Sequence, residues 1–301
     1  MQLSGVCNNN APAWIGKHAA AFSFINDAGI QKTVFRYTLP FSEEQDAILV
    51  YKYGMSPEQR ASYYQTLVQG IQRNIEITRL LKNSGVNSIL TFDMVEQERD
   101  PDTGRNNIYI QTEAVQPIMD VLFQGEINIL TLLDIFIRLT IIVRDISGAP
   151  SEVHHRGICM DEIYLTADKK IRLGGFYHAT AAGYAQRIPY LPDHPVYLPT
   201  SLIDGDGGSA GEDMQTLAQL LFNILSGLPW DTQWPEQPRI APAFAPEGLP
   251  EILLFGMNCS DAECNRFRRR LLDFRKYLSK TALASFMVPV YEPFWKVYSY
   301  K

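Results

Sequence analysis

Cysteine is scarce in this chain: Cys7, Cys159, Cys259 and Cys264 are the only ones in 301 residues. Four in so long a chain make no disulfide scaffold, and their number fits a reducing compartment. Basic residues are not in excess either. Lys plus Arg number 27 against 33 Asp plus Glu, a net charge of -6, which argues against nucleic acid as a partner. Long hydrophobic runs are missing too. The most apolar stretch, 129–143, is broken by Asp134 and Arg138 and is too short to span a bilayer, so no membrane insertion is expected. The opening Met1-Gln2-Leu3-Ser4-Gly5-Val6-Cys7 has neither a basic region nor an apolar core. No signal peptide is therefore expected, and a cytoplasmic location is. No internal repeat is visible.

What is present is an ordinary globular composition with 46% hydrophobic residues. At about 150 residues per domain, the length allows one large domain or two lobes. Segments 20–25 and 33–39 read as strands around the turn Asn26-Asp27-Ala28-Gly29, and 47–53 reads as a third strand. Ser56-Pro57-Glu58-Gln59 signals a helix start, with Ser56 as cap and Gln59 closing a capping box. Helical sequence then runs to about residue 82, as one helix or as two meeting near Gly70. Strands follow at 88–96 and 107–113. Beyond Pro117 the pattern turns helical, with helices expected over 130–146, 212–226 and 261–280 and a short hairpin over 162–173. Segments 179–211 and 231–250 read as loop. Strands first and helices later indicate an α+β protein.

Several constellations invite chemistry and fail. Asp204-Gly205-Asp206-Gly207-Gly208-Ser209 resembles a calcium loop, but its sixth position is not Gly and its twelfth, Gln215, is not Glu. His154, His155 and Cys159 lack the second close ligand pair that zinc wants. No G-x-S-x-G occurs. Arg266, Arg268, Arg269, Arg270, Arg275 and Lys276 share one expected helix, a face suited either to solvent or to phosphate or an acidic partner. The aromatic tail 288–301 is expected to pack on the domain.

One ordered series stands out. His155-Arg156-Gly157-Ile158-Cys159-Met160-Asp161-Glu162 precedes the hairpin, and Gly174-Gly175-Phe176 follows it. The first resembles the catalytic loop of protein kinases, H-R-D with an Asn five residues on, and the second stands where that family places D-F-G. Upstream, Leu49-Val50-Tyr51-Lys52 resembles the strand carrying the kinase lysine, and Glu76 resembles the helix glutamate that pairs with it. Downstream, Glu212-Asp213-Met214 resembles the helix whose aspartate braces the catalytic loop. Arg144-Asp145 offers a second R-D pair but lacks the His and the Asn, and it ends a helix with no hairpin after it.

The resemblance implies a two-lobed protein-kinase-like fold: a small β-rich lobe with one long helix over 1–114, and a larger helical lobe over 115–301. It also marks what is missing. The base position is Gly157, the metal Asn is Glu162, and the metal Asp is Gly175. Cys159 takes the loop Lys position, Tyr177 takes the third position of D-F-G, and only Gly16 stands where the phosphate-covering loop should be. Loss of the base and the metal carboxylate together removes most of what phosphoryl transfer needs. The implied function is a pseudokinase, a protein-binding or regulatory module with no cofactor, metal or catalytic residue. Lys52 and Glu76 would form an ion pair, and His155, Arg156 and Asp213 would be structural. The alternative is a nucleotide-binding protein with weak ATP-dependent kinase activity, using Lys52 on phosphate and Asp161 or Glu162 on metal.

Overall fold

The fold is given by a computed structural model that describes residues 4–6, 19–40, 43–123, 127–184, 208–226 and 247–288. Its first half is a five-stranded antiparallel sheet of β1 (Ser4–Val6), β2 (Ala19–Ile25), β3 (Gln31–Leu39), β4 (Phe92–Arg99) and β5 (Asn106–Glu113), in the order β1-β2-β3-β5-β4. Two helices, α1 (Glu43–Tyr53) and α2 (Pro57–Asn83), lie between β3 and β4 in the chain.

The segment 47–53, expected as a strand, is helical throughout in α1. The sheet explains this. β5 pairs directly with β3 from Lys32↔Glu113 to Leu39↔Asn106, so no edge is left beside β3 for another strand. β-Branched and aromatic residues there yield to the tertiary constraint. Leu49 is buried while Tyr51 is 88% exposed, so α1 holds to the body by one side.

α2 is one helix of 27 residues, continuous through the buried Gly70. Its start is the reciprocal box expected: Gln59 N–H donates to Ser56 Oγ at 3.3 Å, and Ser56 N–H donates to Gln59 Oε1 at 2.8 Å. Tyr63, Leu67 and Ile71 of α2 meet Tyr37, Ile108 and Ile110 of the sheet in a first core. The end of α2, at Ile77 and Leu81, enters a second and larger core. The expected strand 88–96 is divided: Ile89 bridges Leu173, and β4 proper begins at Phe92.

A second sheet joins β6 (Val115–Pro117), β7 (Ile163–Thr166) and β8 (Ile171–Leu173). Helices α3 (Ile118–Phe123), α4 (Ile129–Ser147), α5 (Ala210–Ser226), α6 (Leu249–Met257) and α7 (Cys264–Leu278) build the rest of the described structure. α6 begins inside the segment expected to be loop, with Pro250 in its first turn, where its missing N–H costs nothing. A Cβ on Gly256 of α6 would lie 2.7 Å from that of Ala218 on α5. Glycine is what lets these two helices approach. No helix among the described residues is long and apolar enough to cross a membrane.

Candidate functional site

The two cores meet around residues 155–177. His155 and Arg156 are fully buried, and Arg156 holds a left-handed backbone at φ 60°. Asp213, near the start of α5, secures this turn. One carboxylate oxygen accepts His155 N–H at 2.8 Å and the other accepts Arg156 N–H at 2.9 Å. Burial pushes the Asp213 carboxyl up to about 7, and the two amides pull the other way.

The His155 ring bonds Gly174 C=O through Nε2 at 2.7 Å. A carbonyl only accepts, so Nε2 carries the proton. Burial depresses the ring to about 4, which keeps it neutral, and it packs against Phe176 with centroids 4.6 Å apart. This arrangement brings His155, Arg156 and Asp213 together.

Gly175 lies next to them with φ +75°, a region open to glycine. A Cβ built there would sit 2.7 Å from Glu162 Cδ and 2.8 Å from Glu162 Cβ. The Glu162 side chain therefore occupies the space a side chain at 175 would need. Glu162 is 2% exposed, and its Oε2 accepts from Tyr164 Oη at 3.1 Å.

Tyr37 of β3 and Tyr177, in the short turn Phe176–His178 after β8, bring their hydroxyls to 2.6 Å. Phe35, two residues before Tyr37, meets Tyr164 edge to face at 5.7 Å. Phe176 N–H donates to Asn74 Oδ1 of α2 at 3.0 Å. The cavity left between Phe35, Tyr37, Glu162, Tyr164, Gly175 and Tyr177 is ≈ 20 Å³, room for about one water. Burial first, and then the nearby Glu162, hold the phenols of Tyr37, Tyr164 and Tyr177 well above their ordinary value. They stay neutral and serve as hydrogen-bond partners rather than as acids or bases.

No protein-family model matches the chain, and no curated protein matches it.

The remaining expected positions are spread out. Gly157 is buried and offers no side chain. Glu76 stands on the exposed face of α2, beside Arg73. Lys52 belongs to α1, and its side chain, with any pairing to Glu76, lies outside the described residues. So do most of the calcium-like loop, residues 185–199 and the tail 289–301. Arg144 and Asp145 end α4, paired with each other at the surface. No cluster of three or more His, Cys, Asp or Glu suited to a metal occurs among the described residues.

Sequence reasoning singled out Tyr177 but missed Tyr37, Tyr164, Asn74 and Arg73. Phe35, Tyr37 and Leu39 alternate along β3, so the inward face was readable, but its position against residue 177 was not. Arg73 donates to Ala179 C=O at 2.7 Å and Tyr184 C=O at 3.1 Å, tying the start of the segment after Tyr177 to α2.

Proposed function

We propose that this chain is a two-lobed protein-kinase-like scaffold that carries out no phosphoryl transfer and acts as a protein-interaction module, its nucleotide cleft filled by its own side chains. One observation carries the reading: the Tyr37–Tyr177 hydroxyl contact of 2.6 Å, over a residual cavity of ≈ 20 Å³. Small-molecule sites offer about 300–1,000 Å³. A nucleotide would have to push the buried Tyr37 and Tyr177 rings apart and leave both hydroxyls without partners.

The chemistry supports the same reading. Phosphoryl transfer is mostly positioning and charge stabilisation by a base and metal-held carboxylates. At the base position Gly157 has no side chain. At the metal Asp position Gly175 has none either, and Glu162 fills the gap. The order of strands and long helix, then helices and hairpin, supports a kinase-like frame, and so does the grip of Asp213 on the 155–156 amides.

A thermal-shift titration with ATP and ADP, with and without magnesium or manganese, tests this. Ligand at about a hundred times its dissociation constant adds about 2.7 kcal/mol, several degrees in Tm. The expected result is no shift at millimolar nucleotide. A metal-dependent shift abolished by Lys52→Ala would replace this reading with the nucleotide-binding alternative.

A further inference from the structure

The basic helix plays no role in the closed cleft. α7 carries Arg266, Arg268, Arg269, Arg270, Arg275 and Lys276 with Asp273 as its one acid, a net of +5. The whole chain totals -6, so everything outside this helix sums to -11. Arg275 is committed to Asp134 of α4 by two hydrogen bonds of 2.9 Å, and Lys276 stands 3.9 Å from Asp273. Arg266, Arg269 and Arg270 are different. Their spacing puts them on one face, and among the described residues none has a carboxylate partner.

That face is also pre-arranged. The guanidinium carbon of Arg270 lies 4.1 Å from the centre of the Phe255 ring on α6, and that of Arg266 lies 5.3 Å from it. One ring thus contacts two guanidinium groups. Stacking restrains the side chains while their N–H forks, shaped for carboxylate, remain available. The nearest acid along the chain is engaged elsewhere: Glu263 accepts from Ser260 Oγ at 2.8 Å and Ser260 N–H at 3.3 Å. Those bonds, helped by Arg266 and Arg270, hold its carboxyl below the ordinary value.

We infer that Arg266 and Arg270, stacked on Phe255, together with Arg269 on the same helix face, form a docking surface for a short acidic segment of a partner protein. The occupant follows from charge and length. From Arg266 to Arg270 the helix advances only about 6 Å, and the rest of the chain is net acidic. A few successive Glu or Asp side chains match that length and offer carboxylates to the guanidinium forks, whereas a nucleic acid or an anionic membrane would bring far more charge than three guanidinium groups meet. This inference rests on the reading of the chain as an interaction module and names the chemistry of its partner.

The test is fluorescence anisotropy of a labelled hexaglutamate peptide titrated with the full chain at low and at physiological salt. Saturable binding that weakens with salt is expected. Arg266→Ala/Arg269→Ala/Arg270→Ala should weaken it about tenfold or more, with only the small loss of Tm expected from removing two Arg–Phe255 stacks. Arg275→Ala should leave peptide affinity as it was. If the triple variant folds poorly, Arg269→Glu alone, which touches no ring among the described residues, should still weaken binding about fivefold. Absent binding, binding unchanged in these variants, or tighter binding of a single-stranded oligonucleotide or of phosphatidylserine vesicles would each overturn the proposal. A nucleotide thermal shift would count against the closed cleft and leave this face standing. A silent peptide would do the reverse.

Discussion

Gly175 and Glu162 behave as one pair, since the absence of one side chain is the space of the other. Returning a carboxylate to position 175 meets two obstacles, a backbone at φ +75° and a neighbour within 2.8 Å. Gly175→Asp should cost about 3 kcal/mol or more in urea denaturation. In a Glu162→Gly background the penalty should shrink by about 1 kcal/mol or more, the coupling of residues in contact. A neutral Gly175→Asp would show that Glu162 does not fill that space. The Tyr37–Tyr177 contact has a similar logic. Tyr177→Phe leaves the buried Tyr37 hydroxyl without its partner and should cost about 1–3 kcal/mol. The double variant Tyr37→Phe/Tyr177→Phe should cost less than the two singles summed, because it leaves no orphaned hydroxyl.

Local signals hold at the scale of elements where nothing distant competes. Ser56 and Gln59 cap α2 as their spacing dictates, and Ser56→Ala should lower stability by about 1 kcal/mol in chemical denaturation. α1 shows the opposite case. Its residues favour a strand, but β2 and β5 already flank β3 on its two sides. Asp213 joins α5 to the 155–156 turn with both carboxylate oxygens. Above pH 7, where Asp213 is ionised, Asp213→Asn would turn an NH₂ group toward one of these amide hydrogens, and that variant should lose about 2–4 kcal/mol in urea denaturation.

Over the whole molecule, His155 and Asp213 set opposing pH dependences. His155, depressed from 6.5 to about 4, contributes stability that is full above pH 6.5 and lost as pH falls toward 4. Asp213, raised from 3.8 to about 7, contributes stability that is full below pH 3.8 and lost as pH rises toward 7. Each amounts to about 3–4 kcal/mol, so between pH 4 and 6.5 they offset and the wild-type curve should be shallow. Removing either partner should tilt it. The stability of Asp213→Asn should rise with pH across that range, and that of His155→Gln should fall. Urea midpoints from pH 4 to 7 would show this, and parallel slopes would contradict it.

The sequence by itself determined the α+β order, the capped long helix, the hairpin after the 155–162 motif and the empty side-chain positions at Gly157 and Gly175. Each of these depends on neighbours a few residues away or on a residue type that is simply lacking. Only the tertiary structure decided that Lys52 rides on a helix, that Glu162 takes the room of a side chain at 175, and that Tyr37 closes over Tyr177 140 residues away. Those outcomes come from which strands compete for a sheet edge and which side chains meet when two cores pack together. No spacing along the chain encodes such contacts.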